Sequence, residues 1–158
     1  KQKTAYEIGV RLVGSEMCIR DRHWRALVAA LPERKFALFG TPNDRAITDA
    51  IAAGFGDRVE NLAGKTGLVE FAERLQSCAL LVANDTGGMH LANALGVPVV
   101  GLFGPTNPVR TGPVFAAARV LLQPPGCPPT GGGSLAQLRP ETVVAAVRSQ
   151  LSALNSQL

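Results

Sequence analysis

Asn84-Asp85-Thr86-Gly87-Gly88, with His90 two residues on, is the stretch whose residue types and spacing could do chemistry. Asp85 and Thr86 are types that cap the start of a helix, and the two glycines let a ligand or another backbone come close. A helix N-terminus presents unpaired N–H groups and the positive end of the helix dipole, so the chemistry on offer is the binding of a phosphate or diphosphate. An ordinary capped turn is the plain alternative, and Asp-Thr-Gly alone would favour it. Two features favour a ligand: His90 falls one helical turn in, and a second polar turn, Gly104-Pro105-Thr106-Asn107-Pro108, follows a second apolar run.

The elements that must position these residues are legible on either side. Leu80 to Ala83 is an apolar run of buried-strand length that stops at the polar turn. Met89 to Leu95 continues with helix formers, and Gly96 is placed to close the helix in the left-handed conformation. Val97 to Phe103 is the second strand run. Strand, helix and strand with short connections predict a parallel sheet, in which ligands sit at the carboxyl ends of the strands. Both polar turns lie at those ends.

The same residues resemble a family. Asn84 to Ala92, Gly96 to Val100, and Phe103-Gly104-Pro105-Thr106-Asn107-Pro108-Val109-Arg110-Thr111-Gly112-Pro113 are similar to the C-terminal-domain signature of glycosyltransferase family 9, which contains the ADP-heptose:lipopolysaccharide heptosyltransferases. The resemblance extends more weakly from His23 to about Leu151. It implies an α/β fold, a Rossmann-like parallel sheet with flanking helices forming the C-terminal half of a two-domain GT-B enzyme. It also implies an ADP-sugar as donor substrate, no metal and no further cofactor, and a lipopolysaccharide core acceptor held by an N-terminal domain that also carries the general base. By the same resemblance Asp44 lies near the ribose hydroxyls and Thr66 borders base and ribose. Asp85 would engage sugar hydroxyls, while Thr86, Gly87 and Gly88 would face the diphosphate. Gly104, Pro105 and Thr106 would form the opposite wall. His90 has two roles open to it, a donor to the diphosphate or a cap and packing residue within its helix.

The remaining elements follow by periodicity. Trp24, Leu27, Val28 and Leu31 mark a helix that Pro32 ends, with Trp24 read as packing. Phe36 to Gly40 is a strand, followed by Thr41-Pro42-Asn43-Asp44 and a helix from about Arg45 to Ala53; Asp44 could simply complement that helix dipole. Val59 to Leu62 is a weak strand. Gly64-Lys65-Thr66 fails the spacing of a Walker phosphate loop because position 59 is Val. Leu68, Phe71, Ala72 and Leu75 predict an amphipathic helix with Glu70, Glu73 and Arg74 facing away. Ala118 to Gln123 is a last strand, Pro124 to Ser134 a mobile or irregular loop, and Pro140 opens a final amphipathic helix. Arg110 reads as an exposed arginine, Cys78 as a core thiol, and Cys127 carries no assigned role.

Composition narrows the classes. Lys1 to Ile8 (KQKTAYEI) and Leu12 to Arg22 (LVGSEMCIRDR) resemble the translation of a tagmentation sequencing adapter, with its variable index at Ile8 to Arg11. Residues 1–22 are therefore set aside as an adapter artefact rather than a domain, and 23–158 is read as one nucleotide-sugar-binding domain whose acceptor half is missing. Five basic against three acidic side chains in the first 22 residues supply half of the formal net charge of +4, so the remainder is only mildly basic and gives no argument for nucleic acid. No apolar run approaches the roughly 20 residues of a membrane span, which leaves a cytoplasmic protein with at most peripheral contact at the inner face of the cytoplasmic membrane. Two alternatives stand beside the heptosyltransferase reading: another GT-B enzyme using a UDP-sugar, as transferase or epimerase, and a non-catalytic nucleotide-binding module.

Overall fold

The computed structural model describes residues 7–11, 17–115 and 118–156. Six strands form one fully parallel sheet: β1 (Glu7–Arg11), β2 (Lys35–Phe39), β3 (Val59–Asn61), β4 (Leu80–Asn84), β5 (Val99–Leu102) and β6 (Arg119–Leu122). Their spatial order is β3-β2-β1-β4-β5-β6. The helices between them are α1 (Met17–Ala30), α2 (Arg45–Ala52), α3 (Leu68–Ser77), α4 (Gly87–Ala94) and α5 (Pro108–Thr111), and α6 (Pro140–Asn155) ends the chain. The order reverses between β1 and β4, which makes the carboxyl end of β4 the topological switch point of a doubly wound sheet.

Burial explains why the strands read as continuous apolar runs. Leu80 and Val82 on β4 point into a core shared with Trp24, Leu27, Ile51, Val143, Val147 and Leu151, under α1, α2 and α6. Leu81 and Ala83 point the other way, into a core with Phe71, Leu75, Met89 and Phe103 under α3 and α4. A parallel strand covered on both faces has no polar side, so alternation disappears. Trp24 packs as read, at 5% exposure, and Cys78 is fully buried.

Strand β1 lies in the segment that the sequence sets aside as adapter. It pairs with both β2 and β4, with Ile8 opposite Phe36 and Leu80, and Ile8 and Val10 are buried. The pairing is made by main-chain ladders, which any five residues of extended chain can supply; apolar side chains at positions 8 and 10 fit it to the core. Its placement therefore describes the fold without bearing on the segment's origin.

Arg25, Arg58 and Arg148 are committed to backbone carbonyls at or just beyond helix ends. Arg25 donates to Ala50, Ile51 and Ala53 at 2.7, 3.1 and 2.8 Å, capping the end of α2. Arg58 donates to Leu31, Pro32 and Arg34 beyond the end of α1, and Arg148 to Ala30. Cations at helix C-termini complement the dipole. Arg25 and Arg58 also lie over the Phe55 ring, 5.0 and 5.6 Å from its centroid.

Helix α3 departs from its predicted stripe. Phe71 and Leu75 are buried, but Leu68 is 76% and Val69 73% exposed, so the first turn of α3 is left outside the core that the rest of the helix covers. Leu75→Ala should lower unfolding free energy by about 2–5 kcal/mol, whereas Leu68→Ala should stay within about 0.5 kcal/mol, since only the first opens a cavity. Urea denaturation of the two variants, compared at equal slope, checks the contrast.

Candidate functional site

The edge where β4 and β5 end gathers the chemistry that the sequence singles out. The ladder places Asn84 opposite Leu102, so Asp85 and Gly104 emerge from adjacent strands. Helix α4 starts directly after β4, with Thr86 at its N-cap in extended conformation (φ −147°, ψ 160°). The Thr86 carbonyl accepts from Met89 N–H at 3.0 Å and from His90 N–H at 3.4 Å. Among the described residues the amides of Gly87 and Gly88 meet no acceptor. The Thr86 hydroxyl does not cap the helix as its residue type suggests; it is buried and has no hydrogen-bond partner. A hydroxyl without a partner and helix-start amides without acceptors are the donors of a candidate anion cradle. The far end of α4 is closed as read: Gly96 has φ +76°, and Val97 N–H reaches the Ala92 carbonyl at 2.9 Å.

Asp85 sits beside that cradle with its side chain 14% exposed. Its Oδ2 accepts from the Thr111 hydroxyl at 2.7 Å, and its Oδ1 lies 3.5 Å from His90 Nε2. His90 is 45% exposed and turned toward Asp85, which brings a residue of the first turn of α4 back to the turn that precedes the helix. Thr111 is a site residue that the sequence reading passed over. The signal was weak, a threonine beyond the Gly-Pro-Thr turn, and only the one-turn helix α5 brings it back to β4.

The Gly104-Pro105-Thr106 turn forms the neighbouring wall, and the Pro/Gly-rich segment that composition marks as mobile or irregular is fastened to it. Gly132 N–H donates to the carbonyls of Gly104 and Pro105 at 3.0 and 3.1 Å, and Gly133 N–H to Gly104 at 2.9 Å. At Gly131, with φ +88°, a Cβ would stand 2.5 Å from the Thr106 carbonyl oxygen. The segment is irregular in path but clasped in place. Cys127 faces Gly104 from the same loop, with Sγ 3.7 Å from its carbonyl oxygen. Arg110 is exposed.

Asp44 and Thr66 belong to a second part of the edge, beyond β2 and β3. Asp44 Oδ2 accepts from Thr41 N–H and from Thr41 Oγ1, both at 2.7 Å, so its carboxylate locks the turn that enters α2. Arg45 donates to the Ala63 carbonyl at 3.1 Å and lies 3.4 Å from Asp49. An open groove runs past Thr41, Pro42, Gly64, Thr66, Leu68 and Phe71. The exposed Leu68 is its apolar lip. All ten residues singled out thus lie along the carboxyl edge, in two neighbourhoods: the cradle of Asp85, Thr86, Gly87, Gly88 and His90 with the wall of Gly104, Pro105 and Thr106, and the groove of Asp44 and Thr66. Among the described residues no group of three or more His, Cys, Asp or Glu side chains is arranged to hold a metal ion.

A Rossmann-type sheet of this order, with a glycine-rich helix start at its switch point and a second polar turn beside it, is the architecture of a nucleotide-binding domain, and the solved structures it matches make it one half of a GT-B glycosyltransferase. The family model of glycosyltransferase family 9 (heptosyltransferase) matches residues 19–132, and the chain belongs to that family. Lipooligosaccharide heptosyltransferase 2 of Haemophilus ducreyi is 36% identical over 107 residues, 63% of this chain and 31% of that protein. Among solved structures, E. coli ADP-heptose lps heptosyltransferase II is 27% identical with a TM-score of 0.80, covering 98% of this chain and 48% of that one. E. coli heptosyltransferase WaaC with ADP is 25% identical with a TM-score of 0.78, covering 92% and 44%. The chain therefore spans about a third of the length of its curated relative and just under half of the solved chains. Both matches overlap the first 22 residues: the family model begins at residue 19, and the match with heptosyltransferase II covers 98% of the chain.

The clasp yields a measurable expectation. Gly131→Ala forces a side chain into a left-handed position and against the Thr106 carbonyl, which should cost about 2 kcal/mol or more. In a chain of this size that lowers the thermal midpoint by about 4–8 °C, read by calorimetry.

Proposed function

We propose that this chain is the donor-binding half of a heptosyltransferase that transfers heptose from ADP-heptose to a lipopolysaccharide core acceptor. The observation that carries the reading is the α4 start: the Gly87 and Gly88 amides without acceptors and the buried, unpartnered Thr86 hydroxyl, next to the Asp85 carboxylate. Free donors at the positive end of a helix suit a diphosphate, and they would offset the charge that develops on it as the bond to the sugar breaks. No protein-held metal ion is required for that step. Asp85 would accept hydrogen bonds from the sugar hydroxyls, and His90 stands close enough to Asp85 to serve the diphosphate from the same turn. Gly104, Pro105 and Thr106 would bound the sugar on the other side.

The groove past Thr66 and Leu68 would take the base and ribose. It offers an apolar lip to a planar ring, and Asp44, which does not line the groove, is tied to it through Thr41. The acceptor and the general base would come from the other half of the enzyme, so the chain alone would bind donor and leave it intact. No helix of the described residues is long and apolar enough to cross a membrane. We place the enzyme in the cytoplasm, with peripheral contact at the inner membrane face where a lipid-linked acceptor would lie. Residues 1–22 belong to the same proposal as adapter-derived sequence, and amplification of the genomic locus should return different codons upstream of His23.

Isothermal titration of the chain with ADP, ADP-heptose, UDP and UDP-N-acetylglucosamine tests the donor assignment. The expected result is binding of both ADP ligands with little heat from the UDP pair. Asp85→Ala should weaken ADP-heptose by about tenfold or more, the range for losing hydrogen bonds to a charged group, and ADP much less. Preference for UDP ligands would move the chain to a UDP-sugar transferase or epimerase. A folded chain that binds nucleotide equally well with and without a sugar would favour a plain nucleotide-binding module.

A further inference from the structure

Thr111 is separated from Asp85 by a helix, a strand and a turn, yet its hydroxyl makes the hydrogen bond to the Asp85 carboxylate, Oγ1 to Oδ2 at 2.7 Å. The same hydroxyl lies 2.9 Å from the Asn107 carbonyl, the back-bond open to a threonine in a helical turn. A hydroxyl has one proton, and a carboxylate is the stronger acceptor of the two. The proton therefore goes to Asp85.

The turn that carries Thr111 is held at both ends. Asn107 Oδ1 accepts from Val109 and Arg110 N–H at 2.8 and 3.2 Å, and Gly112 N–H donates to the Pro108 carbonyl at 2.9 Å. A Cβ at position 112 would stand 2.3 Å from the Pro108 carbonyl oxygen, so the turn closes only with glycine there. These contacts leave Thr111 little freedom. Asp85 is the opposite case: an aspartate in the turn between β4 and α4, whose second oxygen is 3.5 Å from His90, too far for a firm hydrogen bond.

We propose that Thr111 is a positioning residue for the donor sugar, acting through Asp85. By holding Oδ2 it fixes the carboxylate plane, which leaves Oδ1, on the His90 side, to accept from the sugar. The inference rests on the donor reading above. It adds that sugar recognition is set from α5, by a residue that does not itself contact the donor.

The test is calorimetric, on the full chain, with ADP-heptose and ADP as separate ligands. Thr111→Val removes the hydroxyl and keeps the shape; it should weaken ADP-heptose about tenfold and ADP less than about twofold, the size of one charge-assisted hydrogen bond. Thr111→Ser should restore sugar-nucleotide affinity to within about threefold of the parent, and Thr111→Ala should not. If valine prevents folding, the serine and alanine pair alone isolates the hydroxyl. In an Asp85→Ala background Thr111→Val should have no further effect on ADP-heptose, because a positioning residue acts only through the group it positions. Equal losses for ADP and ADP-heptose, or additive losses in the double variant, would overturn the inference while leaving the donor reading intact. A folded parent chain that binds neither ligand would overturn both.

Discussion

The structure depends on strand β4, held between β1 and β5 and covered on both faces. Every residue from Leu80 to Asn84 is buried, so the strand has no polar side on which to register differently. Its side chains divide strictly between two cores, and a shift by one residue would exchange them. That constraint fixes where the strand must stop. Asn84 is the last ladder residue, opposite Leu102, and the polar turn opens one residue later at the switch point. The position of the candidate site is a consequence of where the apolar run ends.

The charge distribution agrees with that division. Arg25, Arg58 and Arg148 are spent on carbonyls at helix ends, on the face away from α3 and α4. At the carboxyl edge the start of α4 adds a backbone contribution to that of the side chains of Arg45, Lys65 and Arg110. A formally basic composition is thus partly spent on fastening helices.

Much of the fold and half of the site were legible in sequence. The β4-α4-β5 unit, the Gly96 cap, the packing role of Trp24 and the buried Cys78 all follow from local patterns that the tertiary structure keeps. Two things were hidden, for different reasons. Leu68 continues the helical period of α3, but periodicity cannot show that the first turn is left outside the core, where an apolar side chain becomes a lip. Thr111 and the Gly131 to Gly133 clasp act through contacts across 26 and about 27 residues of chain, and nothing in local residue order indicates that a Pro/Gly-rich loop will return to one particular turn. The Thr86 hydroxyl shows the converse: its type suggested a helix cap, and the structure leaves it uncapped and unpaired, a local rule broken at the site itself.

The central position of β1 constrains whatever natural sequence stands upstream of His23. Ile8 pairs with Phe36 on one side and with Leu80 on the other. Without a strand in that place β2 and β4 would each present an edge of unpaired main-chain groups, the kind of edge that pairs with other chains. The natural upstream sequence is therefore expected to bring a short extended segment, apolar at alternate positions, into the middle of the sheet, even where it shares no residue with positions 7–11.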